Sequence, residues 1–244
     1  MKTIDINCDL GEGVGNDSVL MPLISSCNIA CGGHAGDFDT MTNVVGVAKI
    51  HAVKIGAHPS FPDQSNFGRV IMKMSPSDLF DALKVQIESL KSIVEAQNLK
   101  LHHVKPHGAL YNLASVDVET ATIIVNVIKS IDDHLILYAP FGSVISKIAQ
   151  DEGLKVMFEG FADRMYNEDL TLVSRATQGA LIYDSIEMFK QVFNILFFGK
   201  VNTKSGVEVN LKVDTICVHS DGENVTENLF YLTQQLKANS INIS

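Results

Sequence analysis

Short apolar runs recur along the chain, and each ends in a polar cluster that leads into a stretch with helical spacing. The runs are TIDIN (3–7), CNIAC (27–31), VKIGA (53–57), LHHVK (101–105), LILYA (135–139), KVMFE (155–159) and DTICVH (214–219). Between them, the clearest helix begins at Ser75, with Pro76 in the first helical position and Asp78 in the first turn. A fixed φ and a negative charge both suit a helix N-terminus. Its apolar stripe is Leu79, Leu83, Ile87, Leu90 and Val94. Further stripes at helical spacing are Ala121, Ile124, Ile128, Ile131; Ile186, Phe189, Phe193, Leu196, closed by Gly199; and Val225, Leu229, Leu232, Leu236. Strands alternating with helices imply βαβ units and a mainly parallel sheet. Seven or eight such units in this length suit a closed barrel better than an open sheet. No low-complexity segment, charge run or Pro/Gly/Ser-rich linker divides the chain, so one domain over 1–244 is expected.

Composition narrows the class. Hydrophobic residues make up 46% of the 244 and charged residues 19%, enough apolar material for a sizeable core. Nineteen Lys and Arg against 28 Asp and Glu give a net charge of −9, which offers nucleic acid or an anionic membrane no basic footprint. No apolar run is long enough to span a bilayer, and Asp5 and Asp9 stand where a signal peptide needs uncharged apolar residues. Four scattered cysteines without a CxxC are no disulfide framework. A soluble, reduced, cytoplasmic protein is the expectation.

Ionisable residues gather where the apolar runs stop: Asp9 and Glu12, His34 and Asp37, His58, Lys105 and His107, Glu159 with Asp163 and Arg164, His219 and Asp221. In a parallel α/β barrel all these ends converge on one face. Asp37, just before a helical stretch, reads equally as an N-cap. His51 and His134 lie off the pattern and read as surface residues. His102 and His103 are adjacent on a strand, so at most one faces the barrel interior. Lys105 is either a desolvated amine or half of a buried ion pair, and Arg164 suits two-point grip of a carboxylate or phosphate. The glycine clusters at 11–15 and 32–36 match neither GxxxxGK[ST] nor GxGxxG, so no familiar phosphate loop is present. Cys8, Cys31 and Cys217 read as small buried thiols. Asp9 with His34, His58 or His107 offers a mixed carboxylate–imidazole set for a divalent metal, each ligand from a different strand.

At these clusters the sequence resembles the LamB/YcsF lactam-utilization family. The motifs are DINCDLGEGVG (5–15), NIACGGHAGD (28–37), GAHPSFPD with FGR (56–63 and 67–69), KPHGALYN (105–112), EGFADRMY (159–166) and ICVHSD (216–221). They cover nearly the whole chain. Departures are Gly33 where the family has a bulkier aromatic, Val70 in place of a second Arg, Ser174 where Pro precedes Arg175, and Ser220 in place of Gly. The resemblance implies a distorted seven-stranded (β/α) barrel of the glycoside hydrolase/deacetylase type. It also implies the A component of an ATP-dependent 5-oxoprolinase, which opens the lactam of 5-oxo-L-proline to L-glutamate with partner subunits B and C.

Such a reaction needs a cation for the substrate carboxylate, a base for water and donors for oxygen charge. The expected catalytic set is Asp9, His58, Lys105, His107 and Asp163. His107 or His58 would serve as base or donor, with Asp9 and Asp163 orienting them. The expected substrate-binding set is Glu12, His34, Arg164, His219 and Asp221, with Arg164 or Lys105 on the carboxylate. Two other readings stand beside it. One is an ATP-independent metal-dependent amidase or deacetylase; the other is a non-catalytic small-molecule-binding subunit, which would have little use for so many titratable groups.

Overall fold

The computed structural model describes residues 2–244. Each apolar run forms a strand within a residue or two of its expected limits, except that the first continues three residues further: β1 (Lys2–Leu10), β2 (Ser26–Ala30), β3 (Lys54–His58), β4 (Leu101–Val104), β5 (Ile136–Pro140), β6 (Val156–Phe161) and, after a hairpin, β9 (Thr215–His219). They pair in parallel in the order β1-β2-β3-β4-β5-β6-β9, and β9 returns to β1, closing a seven-stranded barrel. Three three-residue strands carried no periodic signal: β7 (Lys200–Asn202) and β8 (Glu208–Asn210), an antiparallel hairpin, and β10 (Ile241–Ile243), which pairs with the start of β1.

Around the barrel lie α1 (Asp17–Leu20), α2 (Phe38–His51), α3 (Pro76–Ala96), α4 (Gly108–Ala114), α5 (Val118–Ile131), α6 (Val144–Asp151), α7 (Ser185–Phe198) and α8 (Val225–Ala238). Asp37 caps α2, its carboxylate accepting from the Thr40 N–H, and Ser75 caps α3 in the same way from Asp78. The stripes of α3, α5 and α8 supply buried residues as expected. On α7 the expected stripe is displaced. Met188, Gln191, Val192 and Ile195 are buried, whereas Ile186 is exposed. This helix is apolar nearly all round, so periodicity permits two faces. The choice falls to Gln191, whose amide donates to the Phe161 and Arg164 carbonyls. Among the described residues, no helix is long and apolar enough to cross a membrane.

Strand alternation explains the barrel interior. On β1, Ile4, Ile6, Cys8 and Leu10 join the hydrophobic core, while Asp5, Asn7 and Asp9 meet polar partners on other strands. Many α/β barrels fill this space with branched apolar side chains; here it holds a hydrogen-bonded network. Asp5 accepts from Ser26 and Thr215, each at 2.6 Å, and Asn7 donates to Thr215 Oγ1 at 2.8 Å. Asn28 donates to Asn7 and Asp9 and accepts from His103 Nε2–H at 2.7 Å. All these groups are buried, so each needs its partner. His103 faces the interior, its ring stacked on Tyr138 at 3.9 Å between centroids, while His102 is half-buried.

Two glycines make room for side chains. A Cβ on Gly56 would overlap the His103 ring, and one on Gly33 would overlap Gln86 and Ser60. Gln86 bonds both the N–H and the carbonyl of Ser60, filling the space that a larger residue at 33 would take. Gly56→Ala is expected to lower stability by about 2 kcal/mol through overpacking. Gly46→Ala, inside α2 and free of close neighbours, is expected to raise it by about 0.5–1 kcal/mol. Urea midpoints of the two variants check both signs.

Candidate active site

Lys105 follows β4 and sits at the floor of the cleft, 2% exposed. Its ammonium lies 2.9 Å from Asp9 Oδ1, 2.9 Å from Glu159 Oε1, 3.3 Å from Asn7 Oδ1 and 3.0 Å from Cys217 Sγ. Burial alone would discharge the amine, but Asp9 and Glu159 outweigh it and hold its pKa well above the ordinary value. Burial would also raise Asp9; His58 and Lys105 instead hold it well below the carboxylate range. Burial pushes the Cys217 thiol well up, so it stays protonated beside Lys105. Lys105 is therefore a fixed cation whose three N–H groups are taken by Asn7, Asp9 and Cys217, with Glu159 paired to it by charge.

Above it, His58, His107 and His34 form a block with Glu12. His34 and His107 stack with ring centroids 3.6 Å apart, and His34 Nε2 lies 2.9 Å from Glu12. Backbone carbonyls set the imidazole protons. His58 Nδ1–H donates to the Lys105 carbonyl at 2.7 Å, and His107 Nε2–H donates to the Phe67 carbonyl at 3.0 Å. The remaining nitrogens, His58 Nε2 and His107 Nδ1, face each other at 3.0 Å, so one proton must lie between them. It belongs to His58. Burial opposes the His58 cation, but Asp9, 3.4 Å away, overcomes it and raises the pKa. Burial and then the His58 charge hold His107 well below its usual value. Burial likewise lowers His34 despite Glu12, and lowers His103 strongly.

Further out, Asp163 accepts from His219 Nδ1–H at 2.9 Å and from the His219 backbone N–H. Burial would raise Asp163, but His219 holds it low. No described group takes His219 Nε2. The ring lies against Phe161 and lines a cleft of about 570 Å³ with Asp9, Glu12, His58, Lys105, His107 and Arg164. Arg164 Nη2 donates to the Val173 carbonyl, and its Nε has no partner. At the mouth, Asp221 is paired with both Arg69 and Arg175.

A model of the LamB/YcsF family matches residues 4–244. The chain belongs to the LamB/YcsF family. The A component of 5-oxoprolinase from Shouchella clausii is 42% identical over 248 residues, covering 100% of this chain and 98% of that one. The crystal structure of a lactam utilization protein from Thermus thermophilus superposes with a TM-score of 0.93 at 37% identity, covering 100% of this chain and 99% of the other. A GH18 chitinase from Pseudoalteromonas aurantia, at 10% identity, matches in fold alone with a TM-score of 0.53 over 96% of this chain and 99% of its own.

In this LamB/YcsF chain the ten expected site residues gather at the end of the barrel where the strands stop. His34 and Asp163 stand behind the cleft wall, against His107 and His219; the other eight line the cleft. Asn7, Asn28 and Glu159 escaped the expected set, although strict alternation in TIDINCDL marks Asn7 as facing the same way as Asp9. Arg69 and Arg175 lie in irregular loops and carried no periodic signal. His51 and His134 are exposed, and the four cysteines are buried free thiols.

The histidine block also fits a metal ion. Donor atoms of Glu12, His34, His58 and His107 all lie within 4.8 Å of one another. The carbonyls that fix His58 and His107 leave Nε2 and Nδ1 as the inward nitrogens, an arrangement found around imidazole ligands. Asp9, Cys217 and His219 also converge, but the Lys105 ammonium already fills the space beside the first two.

In the metal-free protein, His34, His103 and His107 resist protonation where unfolded imidazoles titrate near ~6.5. Unfolding then takes up protons below that pH, so stability falls as the pH drops. His58 has the opposite sign: its contribution is full below the unfolded pKa and is lost as pH rises through its raised folded value. Urea midpoints from pH 5 to 8 are expected to peak near neutrality, with a loss exceeding about 1 kcal/mol per pH unit on the acid side. A flat profile would contradict the assigned protonation states.

Proposed function

We propose that this chain is the A component of an ATP-dependent 5-oxoprolinase, opening the lactam of 5-oxo-L-proline to L-glutamate with hydrolysis of ATP to ADP and phosphate, and working with subunits B and C. What carries the reading is full-length likeness to a chain named for that role, in a protein whose shared motifs line one cleft. A five-membered lactam is an unstrained amide and its closure is favourable, so opening needs an external drive. Phosphoryl transfer from ATP to the amide oxygen supplies it. Water then adds to the ring carbon, the C–N bond breaks as nitrogen takes a proton, and a second water releases phosphate from the resulting acyl phosphate.

The geometry favours His219 over His107 and His58 as the base. Both nitrogens of His58 and His107 are engaged, whereas His219 has Nδ1–H on Asp163 and a free Nε2 beside the cleft. Asp163 fixes the tautomer and stabilises the imidazolium that forms when Nε2 takes the proton from water. The same proton then passes to the leaving nitrogen. Lys105 and the His58 cation place positive charge beneath the oxygen that becomes negative, and Asp9 orients both. Glu12 and His34 brace His107.

The histidine block favours a second reading, an ATP-independent metal amidase. A divalent ion held by Glu12, His34, His58 and His107 would polarise the carbonyl as a Lewis acid. Glutamate release from 5-oxo-L-proline by this chain with B and C, with and without ATP and omitting each component in turn, separates the readings. Release that needs ATP and all three components is expected. Release by the isolated chain without ATP, lost on chelation with metal found by elemental analysis, would favour the amidase. His219→Ala is expected to lower kcat by about 100-fold or more; unchanged turnover would remove it as the base.

A further inference from the structure

The charges along the cleft are not evenly mixed. At its inner end, Asp9 and Glu12 stand beside Lys105 and His58, Glu159 pairs with Lys105 from behind, and the Lys105 donors are already taken by protein acceptors. At the mouth, three guanidiniums, Arg69, Arg164 and Arg175, face the same cavity. Against them stand Asp221, shared between Arg69 and Arg175, and Asp163, which is engaged by His219. Arg164 is 5% exposed, and its Nε has no hydrogen-bond partner. Burial and then the charge of Arg175 disfavour the Arg164 cation, so the two guanidiniums repel one another across the wall of the cleft. Like charges left together in a half-enclosed site are relieved by an anion.

We propose that Arg69 and Arg175, with Arg164 behind them, form the subsite that receives the carboxylate of the lactam substrate. This deepens the 5-oxoproline reading and rests on it. Asp221 is then a positioning residue: it brackets Arg69 and Arg175 through one nitrogen of each, leaving their other N–H groups for the ligand. Phe67 supports Arg69 from below, its ring centroid 4.8 Å from the guanidinium carbon. With the Lys105 donors already taken, the floor offers the substrate's carboxylate no free cationic donor, and the arginines at the mouth draw it outward. The ring carbonyl is therefore presented to Lys105 and His58, and the substrate enters in one orientation.

Isothermal titration with 5-oxo-L-proline, with 2-pyrrolidinone (the same ring without a carboxylate) and with inorganic phosphate tests this on the wild type, Arg69→Gln, Arg175→Gln and Arg175→Lys. The wild type is expected to bind 2-pyrrolidinone at least about tenfold more weakly than 5-oxo-L-proline. Each Gln variant is expected to weaken 5-oxo-L-proline about tenfold while leaving 2-pyrrolidinone unchanged. Arg175→Lys should fall between, because an ammonium keeps the charge without the planar fork. Unchanged 5-oxo-L-proline affinity in both Gln variants would overturn the arginine assignment and leave the substrate reading standing. Phosphate binding tighter than 5-oxo-L-proline would reassign the subsite to a phosphoryl group and overturn the carboxylate. Binding of neither lactam to the wild type would overturn the substrate reading and this assignment with it.

Discussion

A buried ammonium determines the character of the barrel. Lys105 is held out of water between Asp9 and Glu159, and an unpaired charge in that position is untenable. The carboxylates come from β1 and β6, and the lysine from the end of β4. The ion pairs therefore tie three separate strands across the interior. Charge neutrality at the floor specifies how the sheet must close, and closure keeps the charges dry.

The same logic extends through the interior. Asn28 uses its carbonyl on His103 and its amide on Asn7 and Asp9, so its orientation is fixed. Asp5, Thr215 and Asn7 continue the chain of bonds toward the opposite end of the barrel. Above the floor, the protons of His58 and His107 are set by the Lys105 and Phe67 carbonyls rather than by solvent. The cleft thus presents dipoles and charges whose directions are settled before any ligand arrives, the condition under which electrostatic stabilisation is strongest.

The seven barrel strands and the face on which chemistry gathers were legible because a period of two, an apolar run and a closing polar cluster are local signals. Asp37 as a cap and the start of α3 at Ser75–Pro76 were legible for the same reason. The buried side of α7 was not, since Ile186 and Met188 are both apolar and only Gln191, reaching the β6 end, decides between faces. Glu159 sits in the cluster that marked Asp163 and Arg164, yet its role depends on meeting Lys105 from another strand, a pairing set by topology. Arg69 and Arg175 are 106 positions apart in sequence and meet only because both reach Asp221. Gly33, a departure from the family pattern, became intelligible only when Gln86 was seen in the space.

The polar interior also bears on how the chain folds. The seam that completes the barrel joins Asp5–Asp9 of β1 to Thr215–His219 of β9, a pairing that spans most of the sequence and is entropically slow to form. Before it forms, the inner surface of the open sheet carries Asp5, Asn7, Asp9, Ser26, Asn28 and His103, all content in water. An open intermediate with an ordinary apolar lumen would expose a sticky trough to its neighbours. A barrel opened at this seam would expose a wet surface instead, and its groups would lose their water together as β9 pairs. Seam formation and dehydration are thereby coupled, and the residues that shape the floor of the cleft would keep an open sheet from becoming a sticky one.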